Sequence, residues 1–119
     1  MGIMPTPPSN PARSNLLRVH APVKSRSREQ AQELASVLPS RLTDADALLD
    51  CRGTAIATPS FTDEILKQIL IERDAHSLEV INAPNRFAEL LLRAAARLGI
   101  DDRLRVNREG AETDHMAPA

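Results

Sequence analysis

Residues 48–66 read Leu-Leu-Asp-Cys-Arg-Gly-Thr-Ala-Ile-Ala-Thr-Pro-Ser-Phe-Thr-Asp-Glu-Ile-Leu, and their reading decides the fold. Ala47, Leu48 and Leu49 form a short apolar run, broken by Asp50-Cys51-Arg52-Gly53. So short a run suits an inner strand covered on both faces. Thr58-Pro59 then reads as a helix start. Threonine caps a free amide, and proline at the first helical position lacks only an N–H that has no partner there anyway. Ser60 and Asp63 offer a second capping arrangement one register later. In either register Ser60 sits in or beside the first turn. Free amides and the positive end of the helix dipole gather there and favour a phosphate.

The segments on either side extend the pattern. From Pro59 to about Arg73, a helix buries Phe61, Ile65, Leu66, Ile69 and Leu70 and turns Asp63, Glu64, Lys67 and Gln68 the other way. Asp63 and Lys67 make a favourable i,i+4 pair, and Ile71 falls on the polar side. Upstream, Asn15 to Pro22 alternates Leu17, Val19 and Ala21 against Arg18 and His20, which is a half-buried strand. Ser27-Arg28-Glu29-Gln30 is a capping box. It opens a helix with Ala31, Leu34, Ala35 and Leu38 in one stripe, stopped by Pro39. Downstream, Ser77 to Asn82 is a third strand and Ala83-Pro84-Asn85 a further helix start. That helix presents Phe87, Leu90, Leu91, Ala94, Ala95 and Leu98 on one face, with Gly99 as its C-cap. Arg103 to Val106 alternates as a last edge strand. The order βαβαβα plus a short strand predicts a small α/β domain, with a mostly parallel sheet of three to four strands and amphipathic helices. In open α/β sheets the functional corner lies at the carboxyl ends of the strands. The turn from Gly53 to Ser60 leaves the central strand there.

Composition narrows the function. The 119 residues allow one domain, with 42% apolar residues, no Trp or Tyr and two Phe, so the core is built of Leu, Ile, Val and Ala. A net charge of −1 gives no overall field towards nucleic acid or acidic lipid. The basic residues Arg13, Arg18, Lys24, Arg26 and Arg28 have no interleaved aromatics and read as a solvated face. The single cysteine, Cys51, forms no internal disulfide and suits a reducing compartment. No apolar run approaches the ~20 residues of a membrane span, and the start lacks a secretion-signal layout. A cytoplasmic protein with no direct membrane insertion is expected. Residues 1–14, with Pro5, Pro7, Pro8 and Pro11, read as a disordered lead-in, residues 15–107 as the domain, and 108–119 as a disordered tail. His20, His76 and His115 are not at metal-binding spacing. Asp44, Asp46 and Asp50 lack the glycine and terminal glutamate of a calcium loop. No histidine lies near Ser60 in sequence, and there is no G-x-S-x-G elbow, glycine-rich phosphate loop or C-x-x-C. No catalytic residue, metal or cofactor is therefore assigned.

A family likeness adds to this reading. Leu49-Asp50-x-x-Gly53, followed by a serine that opens a helix, resembles the STAS fold of anti-sigma factor antagonists. Ser60-Phe61-Thr62-Asp63-Glu64-Ile65-Leu66 is similar to the Ser-Phe-x-Asp-Glu-Leu motif of the STAS-like domain of unknown function. Ser25-Arg26, the helix after it and the layout up to Val106 also resemble that group, so the likeness spans residues 15–107. It implies a non-catalytic bacterial regulatory module that binds an anti-sigma factor or serine kinase. In the antagonists the serine aligned with Ser60 is phosphorylated by a partner kinase. Thr58 and Thr62 are the alternative acceptors here. Thr62, Asp63, Glu64 and Lys67, on the exposed side of the helix, are the expected partner surface. The antagonists carry Asp where this chain has Thr58, and Gly where it has Phe61. Two further alternatives stand beside this one. Ser60 only caps its helix, or the chain is a small STAS subunit that binds an ATPase of a membrane transporter.

Overall fold

The computed structural model describes residues 16–109. In chain order they form β1 (Leu16–His20), a two-residue β2 (Lys24–Ser25), α1 (Arg28–Ala35), β3 (Asp46–Asp50) and a two-residue β4 (Ile56–Ala57). Next come α2 (Pro59–Leu66), a π-helical extension (Lys67–Glu72), β5 (Ser77–Ala83), α3 (Asn85–Leu98), a 3-10 turn (Asp101–Arg103) and β6 (Leu104–Arg108). The main sheet has the order β1-β3-β5-β6 and every pair in it is parallel. This is the α/β architecture expected from the alternation of elements.

Strands that follow chain order, joined by crossovers of the usual right hand, carry their helices on one face of the sheet. Accordingly α1 packs on α2 and α2 on α3. On the helix side, Leu17, Ala47, Leu78 and Leu104 form one cross-strand row and Val19, Leu49, Val80 and Val106 the next. These rows meet Phe61, Ile65, Leu91 and Ala95 in a single core. Phe61 and Phe87 touch edge to face, with ring centroids 6.2 Å apart, a preferred aromatic geometry. On the other side of the sheet, Arg18, Leu48, Glu79 and Arg105 line up across four strands. Leu48 is only 8% exposed there. Arg18 and Glu79 are its cross-strand neighbours. β3 is thus buried on both faces, but by helices on one side only.

Local signals act as the sequence indicates, with three differences. Ser27 caps α1 in a full capping box with Gln30, and Gly99 ends α3 at φ +74, a conformation glycine adopts without penalty. However, α1 stops at Ala35, a turn before Pro39. Ser36 Oγ donates to the Glu33 carbonyl (2.6 Å), and Leu38 reaches the core from the turn that follows. The helix expected to run to Arg73 is α-helical only to Leu66 and then widens. The Arg73 N–H reaches back to the Gln68 carbonyl, and the widened turn keeps both Ile69 and Leu70 in the core. β6 runs to Arg108, and Glu109 N–H donates to the Ala83 carbonyl, so order extends past the expected boundary at 107. The expected lead-in 1–14 and residues 110–119 lie outside the described residues. No described helix is long and apolar enough to cross a membrane.

Candidate functional site

The chain leaves β3 through a turn in which Thr54 N–H donates to the Cys51 carbonyl and Gly53 takes φ +85. It then pairs with the segment after β1. Ala55 and Ile56 N–H share the Val23 carbonyl, and Thr58 N–H donates to the Ser25 carbonyl. This small β2–β4 ribbon, absent from the sequence reading, delivers Thr58 to the start of α2. Thr58 is the N-cap: its Oγ1 accepts from Phe61 N–H (3.2 Å) and donates to the Arg26 carbonyl (2.6 Å). Thr62 is 1% exposed, and its hydroxyl donates to the Thr58 carbonyl at 2.8 Å. Ser60 is exposed, and its hydroxyl forms no hydrogen bond among the described residues. The cap therefore forms in the Thr58 register, and the second register at Ser60 is not used. Of the three hydroxyls considered as acceptors, only that of Ser60 is both free and exposed.

The expected partner surface is smaller than the helical wheel indicates. α2 lies between α1 and α3, so its polar flanks meet neighbours rather than water. Glu64 is buried and accepts from Gln68 Nε2 (2.9 Å), Gln32 Nε2 (3.1 Å) and Arg28 (3.3 Å). The bond from Gln68 leads in holding its carboxyl below the usual range, helped by Gln32 and Arg28 against the effect of burial. Asp63 pairs with Arg97 of α3. Thr62 and Glu64 are thus internal and leave the partner surface. Ser60, with half-buried Asp63 and Lys67, forms the outward ridge of α2.

A second cluster, missed in the sequence, fixes the same end of the sheet. Asp50, buried at the last position of β3, accepts from Arg18 (2.9 Å), Asn82 Nδ2 (3.0 Å) and Arg52 N–H (3.0 Å). His20 Nδ1 lies 3.9 Å from this carboxylate, and its Nε2 3.0 Å from the Arg52 carbonyl. The Arg18 bond, then those of Asn82 and Arg52, hold the Asp50 carboxyl far below the usual range despite burial. Asn82 reaches Asp50 because it sits at φ +58 in a bulge where the β5–β6 register shifts. Bulges re-aim side chains in this way. An ionised carboxylate with three donors is an anchor for the β3 turn. The neighbouring Cys51 is buried, and burial followed by the Asp50 charge pushes its thiol up to about 12, so it stays protonated.

One depression adjoins these features, and another lies towards the opposite end of the sheet. A cleft of about 220 Å³ lies between Thr54–Ala57 and the start of α3 at Pro84, Arg86 and Phe87. A groove of about 400 Å³ crosses the face of the sheet that carries no described helix, near Asp46, Leu48, Ser77, Glu79 and Arg105. There Asp46 accepts from Ser77 Oγ (2.7 Å) and lies 3.0 Å from His76 Nδ1. Among the described residues no three His, Cys, Asp or Glu side chains gather as a metal site. No protein family, curated protein or solved structure matches the chain.

Proposed function

We propose that this chain is a non-catalytic, STAS-like regulatory module of the anti-sigma factor antagonist type. On this reading it binds a protein partner at the end of the sheet where α2 begins, and a phosphate on Ser60 breaks the complex. The observation that carries the reading is the division of labour at the α2 start. Thr58 does the capping, and the exposed hydroxyl of Ser60 has no hydrogen-bond partner among the described residues. A phosphate there adds about −1.5 to −2 charge at neutral pH. The helix N-terminus tolerates that charge. A closely fitted or acidic partner surface does not. A cytoplasmic location, where the buried Cys51 remains a thiol, accords with this role.

The test is affinity capture from the native host with wild type, Ser60→Ala and Ser60→Asp, alongside intact-mass measurement of the protein itself. The reading expects a serine kinase or sigma-regulator partner that is kept with Ala and lost with Asp, and a native mass raised by one phosphate. A partner indifferent to both substitutions, with an unmodified native mass, contradicts it. Recovery of a transporter ATPase favours the small-subunit alternative.

A further inference from the structure

The cleft beside β4 has properties that no element of the fold explains. One wall is Thr54, Ala55, Ile56 and Ala57, the other Pro84 and Phe87, so its lining is largely apolar. Its volume of about 220 Å³ is below the roughly 300–1,000 Å³ of small-molecule sites and fits a single bulky side chain. Its lip is also apolar and open. Ile56, which lines it, is 38% exposed. Among the described residues β4 pairs only with β2, and its other edge pairs with no described strand.

The lining of the cleft carries a single charged side chain. Arg86 lines the cleft, is exposed, and makes no ion pair among the described residues. The first turn of α3 contains no acidic residue. Its N-cap position is Pro84, which has no side chain able to cap an amide. The positive end of a 14-residue helix and an arginine thus sit together at the rim of an apolar cleft.

We infer that this cleft anchors a partner segment presenting one bulky apolar side chain with an Asp or Glu beside it. The apolar side chain fills the space between Ala55, Ala57 and Phe87. The carboxylate meets Arg86 and the free amides of α3. The segment's backbone runs along the unpaired edge of β4. The inference rests on the reading of this end of the sheet as the docking surface, and it links the two sites. Ser60 follows Ala57 by three residues, so a phosphate on Ser60 repels the same acidic segment that Arg86 attracts.

The test uses a random-peptide display library as the probe, screened against the full chain and against Arg86→Glu, Ala55→Phe and Ile56→Asp. All three positions are exposed, so the fold is retained, as thermal unfolding verifies. Wild type is expected to enrich peptides with a bulky apolar residue next to an acidic one. Arg86→Glu is expected to replace that acid by Lys or Arg. Ala55→Phe and Ile56→Asp are expected to weaken the selected peptides by about tenfold or more. No enrichment, the same motif with wild type and Arg86→Glu, or indifference to cleft filling overturns the inference. The native partner separates this failure from that of the phosphoswitch. A partner lost with Ser60→Asp but kept with Arg86→Glu overturns the cleft alone. A partner lost with Arg86→Glu but indifferent to Ser60→Asp supports the cleft and sinks the switch.

Discussion

Thr58 and Ser60 stand two residues apart and do different work. Thr58 satisfies an amide of the α2 first turn and ties it to the Arg26 carbonyl, whereas Ser60 does neither. Thr58→Ala is expected to cost about 1 kcal/mol of stability, and Ser60→Ala to stay within about 0.5 kcal/mol. Urea unfolding of both variants checks the pair, and the reverse order would make Ser60 the cap. The residue that holds the β3 end is Asp50. Its folded carboxyl titrates lower than in the unfolded chain, where an Asp sits near about 3.9. The unfolded chain therefore binds more protons in acid. The contribution of Asp50 is complete above the unfolded value and is lost as pH falls below about 4. The stability gap between wild type and Asp50→Asn is expected to be widest near neutral pH and to shrink towards pH 3 in urea titrations. The Thr58-Pro59 cap and Gly99 were legible in the sequence because their signals are local. The Asp50–Asn82 contact was not, because it joins residues 32 apart through a bulge that alternation cannot reveal.

At the scale of elements, α2 shows where a helical wheel stops being informative. The wheel identifies the apolar positions correctly, since Phe61, Ile65, Leu66, Ile69 and Leu70 are all buried. It does not tell how many neighbours a helix has. With α1 and α3 on its two flanks, α2 places Glu64 and Thr62 inside and leaves a narrow ridge at Ser60, Asp63 and Lys67. Glu64 joins α1 to α2 through Arg28 and Gln32. Removing it leaves those donors and Gln68 without their acceptor. Glu64→Ala is expected to lower stability by about 1–3 kcal/mol, a loss that an exposed glutamate would not show. The two-residue β2–β4 ribbon was also illegible, since so short a pair carries no periodicity of its own. Only its neighbours bring Lys24–Ser25 and Ile56–Ala57 together.

At the scale of the whole molecule, the alternation of strand and helix made the class legible, and the observed strand order follows the chain. That order places the helical layer on one side and leaves the charged row Arg18–Leu48–Glu79–Arg105 on the other. Among the described residues the inner strands β3 and β5 are bonded on both edges, and β1 and β6 on one. Amide hydrogen exchange is expected to be slowest in β3 and β5 and faster in β1 and β6, and uniform rates across the sheet would argue against this order. The site follows from the same topology. The β3 turn, the starts of α2 and α3, and the cleft between them all lie at one end of the sheet, and Ser60 is exposed there.

The most direct test of the central claim is to install phosphoserine at position 60 and measure thermal unfolding and partner capture from the native host side by side with the unmodified chain. The expected result is an unfolding temperature close to that of the unmodified protein together with loss of the partner. A phosphorylated chain that keeps its partner, or one that unfolds at a much lower temperature, would contradict it.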